Sequence, residues 1–172
     1  MNEPNTTIDL VELKGAVGSH FFVWSQFEVA LAEAVSELET ESSFQKTRGI
    51  AQTIKRWKQL QDGVSHPNPA HAAFIEELFS IMLEGLDIRN KIAHGTVSWS
   101  VEGDVTEAYI GADLGGEKKT IAYTTLTSMN EQLMTLRSHL SRVTSITLEP
   151  ERWRHSDLYT EVRTILRRKR VK

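Results

Sequence analysis

The sequence predicts a mainly α fold: an antiparallel helical bundle with a small antiparallel β-hairpin or meander between its third and fourth helices. Three observations carry this. Four segments space apolar residues three and four apart, the helical period. Residues 96–123 drop that period for short β-branched and aromatic runs separated by glycine turns. Hydrophobic residues make up 40% of the 172-residue chain, enough for a buried core. There is no cysteine, which excludes a disulfide scaffold, a Cys-ligated zinc or iron–sulfur site and a cysteine nucleophile.

The first helix is expected over residues 8 to about 39. Thr6, Thr7 and Asp9 are N-cap candidates, and Gly15 and Gly18 are possible kinks. From Phe21 onward Trp24, Phe27, Leu31, Val35 and Leu38 form an apolar seam. The second helix is expected over 46–62, with Ile50, Ile54, Trp57 and Leu60 or Gln61 inward and Gly63 as its stop. Its other side is basic (Lys46, Arg48, Lys55, Arg56, Lys58). Pro67 and Pro69 then mark a connector.

The third helix runs from about Pro69 or Ala70 to His94 and carries two adjacent apolar stripes. One is Phe74, Leu78, Ile81, Gly85, Ile88 and Ile92; the other is Ile75, Phe79, Met82, Leu86, Arg89 and Ala93. So wide an apolar arc marks a central helix, and Gly95 suits its C′ position. Between 96 and 123 the runs TVSWSVEG, VTEAYIGA and KKTIAYTT read as strands, with turns at Gly103-Asp104 and Gly115-Gly116. A fourth helix is expected from Thr127 to about Thr147, with Met129, Leu133, Leu136, Leu140 and Val143 inward, and Pro150 ends it. A short final helix is expected at about 156–169.

The organisation is therefore one helical domain over 1–150, with a β insertion at about 96–123, and a basic C-terminal helix or tail over 151–172. That tail holds eight Lys/Arg against three acids, net +5, while the preceding 150 residues hold 12 against 20, net −8. A basic end can contact phosphate or simply be a solvated segment paired with the acidic body. No stretch of about 18 apolar residues exists, and the N-terminus lacks the pattern of a signal peptide. A soluble, cytoplasmic protein is expected, with no membrane contact.

Two charges interrupt the apolar pattern. Arg89 continues a stripe of the third helix, and a buried guanidinium, unable to lose its proton, needs an acceptor or an anion. Glu28 is the one charge on the first helix's 24–28–31–35–38 seam. The two invite pairing, and the plain alternative is a buried structural ion pair. Asn90 and His94, four apart, share a face beside Arg89 where the helix ends. There the helix dipole favours an imidazolium and the guanidinium opposes it. An imidazole so placed can move protons. The six histidines are scattered, and no spacing among them suggests a metal site.

The run Ile88-Arg89-Asn90-Lys91-Ile92-Ala93-His94-Gly95 resembles the Arg-Asn-x-x-x-His motif of the HEPN superfamily (higher eukaryotes and prokaryotes nucleotide-binding). The aromatic first helix, Phe21 to Leu31, is similar to that family's first helix, and the resemblance covers roughly residues 20–145. It implies a helical bundle and a metal-independent endoribonuclease without a cofactor, often a toxin or defence effector. Arg89 and His94 are then the catalytic pair, Asn90 supports them, and Glu28 holds Arg89. The implied partners are RNA, a second copy of the chain and an antitoxin or defence-system protein. Thr96 stands where toxins controlled by nucleotide transfer carry a tyrosine, so that control is not implied. The alternatives are a non-catalytic module of the same kind that dimerises or binds RNA or a nucleotide, and a plain helical interaction protein.

Overall fold

The computed structural model describes residues 10–40, 46–65, 69–94, 98–100, 109–114 and 117–151. Among them are four helices, α1 (Leu10–Leu38), α2 (Ile50–Asp62), α3 (Pro69–His94) and α4 (Tyr123–Leu148). Between α3 and α4 lie three strands, β1 (Ser98–Ser100), β2 (Tyr109–Leu114) and β3 (Glu117–Ala122). The strands form one antiparallel sheet in the order β1-β2-β3. The fold is thus mainly α with a small antiparallel sheet where the helical period lapses.

The boundaries differ from the sequence reading in two places. The second helix begins at Ile50, not at 46, because Gly49 has φ +81°, a left-handed conformation open to glycine at little cost. The backbone N–H of Arg48 donates to Gln52 Oε1 at 2.8 Å, which closes this start. The fourth helix begins at Tyr123, four residues before Thr127, directly after β3. Thr127 Oγ1 donates to the Tyr123 and Thr124 carbonyls at 3.1 Å each, so the β-branched residues that resemble a strand serve the first helical turn. α1 runs unbroken through Gly15 and Gly18. The N-cap candidates Thr6, Thr7 and Asp9, the turns at Gly103-Asp104 and Gly115-Gly116, Gly95 and the C-terminal helix lie outside the described residues.

The residues group into two compact units. One joins the chain up to Phe27 with Glu84–Thr135; the other joins Glu28–Leu83 with the chain from Leu136 onward. In the first unit the core is Leu13, Val23, Trp24, Phe27, Ile88, Ile92, Leu126, Met129 and Leu133. Ile110 and Ile121, opposite one another in the β2–β3 register, are also buried. In the second unit it is Leu31, Val35, Ile54, Trp57, Phe74, Leu78, Met82, Leu136, Leu140, Val143 and Ile146. Every member of the Phe74-to-Ile92 stripe is buried, and the second α3 stripe grades outward to half-buried Arg89 and exposed Ala93.

Gly85 marks a tight approach in the first unit. A Cβ there would stand 3.0 Å from Trp24 Cζ3 and 3.3 Å from Leu133 Cδ2. Both neighbours are core side chains with little room to move. Gly85→Val is expected to destabilise the protein by about 2–3 kcal/mol through overpacking, read from the urea midpoint at unchanged m-value.

In the second unit the choice between Leu60 and Gln61 falls to Gln61, which is buried. Thr147 Oγ1 donates to Gln61 Oε1 at 2.6 Å, so a polar contact decides what the helical spacing left open.

Candidate active site

α3 brings Arg89, Asn90 and His94 together at its C-terminal end, within the first unit. Arg89 Nη1 donates to Asn90 Oδ1 at 3.2 Å and lies 3.3 Å from His94 Nε2. A guanidinium only donates, so Nε2 is the acceptor and the ring proton sits on Nδ1. His94 is exposed, whereas Arg89 and Asn90 are half-buried.

The Arg89 contact crosses five residues, more than the usual helical neighbour spacing. Asn90 holds the guanidinium rather than His94. Arg89 Nε is buried without a hydrogen-bond partner among the described residues. An ionised group so placed gains from an anion that approaches its outer edge. Beside it, Lys91 pairs with Asp87 one turn back.

Glu28 lies half-buried on α1 in the second unit, on the seam with buried Trp24, Leu31 and Val35. The hydrogen bonds described for Arg89 go to Asn90 and His94. The basic side of α2 is partly neutralised: Arg56 Nε bonds Glu39 Oε1 at 2.8 Å, and Lys58 bridges Asp62 and Glu76. Lys46, Arg48 and Lys55 stay exposed. Trp57 is wholly buried, a core residue rather than a stacking platform. Trp153 lies outside the described residues.

A buried polar clasp went unread in the sequence. His20, fully buried, bonds Asn130 Oδ1 through Nδ1 at 2.8 Å, and Asn130 Nδ2 donates to the Ala16 carbonyl at 3.0 Å. The amide's bond to Ala16 turns its oxygen to the ring, so Nδ1 is the protonated nitrogen. Nε2 is buried without a hydrogen-bond partner among the described residues. Burial pushes the imidazole below its ordinary pKa, and the Asn130 bond partly opposes this. The signal was available: residues 13, 16, 20, 24 and 27 follow one helical stripe, and His20 stands on it.

Among the described residues no group of three or more His, Asp or Glu is placed to hold a metal ion. No helix there is long and apolar enough to cross a membrane. No protein-family model matches the chain, and neither a curated protein nor a solved structure matches it.

Proposed function

We propose that the protein is a metal-independent endoribonuclease of the HEPN type, with Arg89 and His94 as its catalytic pair. The observation that supports this most is the contact between a half-buried guanidinium and an exposed imidazole in the last turns of α3. The reading also rests on the Arg-Asn-x-x-x-His resemblance.

The chemistry follows from the side chains. His94 Nε2 carries a lone pair, but Arg89 occupies it. A phosphodiester draws the guanidinium onto its non-bridging oxygens, where two parallel N–H donors fit. That movement frees Nε2 to take the proton of the adjacent ribose 2′-OH. The 2′-oxygen attacks phosphorus, the bond from phosphorus to the 5′-oxygen breaks, and the leaving oxygen gains a proton from an acid. In a dimer with two such sets facing one cleft, the partner's His94, protonated on both ring nitrogens and turned away from its own Arg89, supplies that proton and ends as the neutral imidazole. Arg89 stabilises the charge that grows on the phosphoryl oxygens. Asn90 keeps the guanidinium in place through its 3.2 Å bond. Glu28 is assigned a supporting role behind Arg89 on the resemblance alone.

Products are a 2′,3′-cyclic phosphate and a 5′-OH. The reading places the protein in the cytoplasm as a toxin or defence effector, restrained by an antitoxin or defence-system protein. The test is cleavage of total RNA by purified protein in excess EDTA. Cyclic-phosphate ends are expected, and a substrate carrying a single 2′-deoxy nucleotide is expected to resist at that position. Cleavage that stops with EDTA, or that tolerates 2′-deoxy substitution, overturns the proposal.

The half-buried Arg89 guanidinium beside exposed His94 also favours a second reading, a non-catalytic module that grips an RNA or nucleotide phosphate. Binding of RNA without any cleavage, lost in Arg89→Ala, decides for it.

A further inference from the structure

Lys91 stands on the other side of His94 from Arg89. At 3.6 residues per turn, Arg89 lies about 140° round α3 to one side of His94, and Lys91 about 60° to the other. Lys91 also comes three residues before His94, a separation that makes two side chains neighbours on a helix. Its ammonium is drawn the opposite way: Lys91 Nζ donates to Asp87 Oδ2, one turn towards the start of α3. Asp87 is exposed and Lys91 half-buried, so the carboxylate is the open end of this pair. A pair so open to water holds weakly and gives way to a competing anion. The imidazole thus lies between two cations, one in contact with it and one held back by an acid.

The proposed cleavage places Arg89 on the scissile phosphate and gives Lys91 no task. Along an RNA strand the next phosphate is one nucleotide away, a step comparable to the roughly 5–6 Å between helix neighbours three apart. An ammonium that exchanges Asp87 for that phosphate moves towards His94, and its charge stays compensated throughout. We infer that Lys91 is a substrate-binding residue for the phosphate next to the scissile one, and that Asp87 holds it back until RNA arrives. The substrate class is then an oligonucleotide with at least two consecutive phosphates, rather than a lone phosphodiester or a free nucleotide. The tasks of Arg89 and His94 in this inference rest on the ribonuclease reading; the Lys91 contact itself is one of binding.

The two members of the pair are expected to act in opposite directions. The probe is a short, labelled 2′-O-methyl RNA, which has no nucleophile and stays intact. Lys91→Ala is expected to raise its dissociation constant about fivefold and to reduce the slope of log affinity against log salt by about 0.7, the share of one phosphate contact. Asp87→Asn is expected to lower the dissociation constant about threefold at low salt, because the amide no longer competes with the phosphate. A pair that only braces the end of α3 makes both substitutions weaken binding together. Cleavage supplies a second readout. Trinucleotides with a single ribose put the extra phosphate on the 5′ or the 3′ side of the cleaved bond. One of the two is expected to exceed the matching dinucleotide about tenfold in kcat/KM, through KM, and Lys91→Ala is expected to erase that preference. Effects of the same sign in the two variants overturn the inference, as does unchanged binding in a folded Lys91→Ala or a wild type that binds no RNA. RNA bound in the expected pattern but never cleaved upholds it and overturns the ribonuclease reading instead.

Discussion

Arg89→Ala is expected to slow RNA cleavage by about a thousandfold or more. The guanidinium has two tasks in the proposed mechanism. It neutralises charge on the phosphoryl oxygens, and its departure from His94 Nε2 delivers the free lone pair to the substrate. Arg89→Lys is expected to recover little, because one ammonium cannot reproduce the planar fork that holds Asn90 while it binds phosphate. His94→Ala is expected to cost a similar factor, and the double variant hardly more than either single one, as groups that act together are strongly non-additive. The fold is expected to survive, since His94 is exposed and the hydrogen bonds described for Arg89 go to Asn90 and His94 of its own helix. Single-turnover cleavage, read beside the thermal melt, checks this. A folded Arg89→Ala variant that cleaves at the wild-type rate removes Arg89 from the mechanism.

Acid is expected to loosen the protein through His20. The imidazole is buried, its Nδ1 is committed to Asn130, and its Nε2 faces no acceptor among the described residues. A proton added at Nε2 would place a cation in the core. The folded-state pKa is lowered, so the unfolded chain takes up its proton first. The His20 contribution is therefore complete above the ordinary imidazole value of 6.5 and is lost as pH falls from there through the folded-state pKa. The slope approaches about 1.4 kcal/mol per pH unit within that window. The causes of the shift are burial first and the Asn130 bond second, with no charged side chain among the described residues contributing. Urea unfolding from pH 7.5 to 5 measures the slope, and the difference between wild type and His20→Gln isolates this residue. Parallel curves for the two proteins rule the mechanism out. Asn130→Ala is expected to cost about 2–3 kcal/mol at neutral pH, because it strands the buried ring and removes the amide's added bond to the Ala16 carbonyl.

The helices were legible where one face is continuously apolar. α3 is the clearest case: its long stripe is buried from Phe74 to Ile92. The start of α4 was not legible, because Tyr123, Thr124 and Thr125 have strand-like side chains and the helix begins with no separating turn. The start of α2 depended on a single glycine dihedral, which spacing does not record. Arg89, Asn90 and His94 were legible as a set because four- and five-residue separations on one helix are local geometry. The clasp was not, because His20 and Asn130 are 110 positions apart.

By itself the sequence determined the elements, their buried stripes and the neighbourhood of Arg89, Asn90 and His94, since all of these depend on residues within a few turns of one another. Only the tertiary structure decided that Asn90 holds the guanidinium, that Gln61 rather than Leu60 enters the core, and that Gly85 admits the Trp24 ring. The physical reason is that hydrogen bonds and steric limits act at contact distance. Periodicity along a chain says which way a residue faces, and the fold alone says what it meets there.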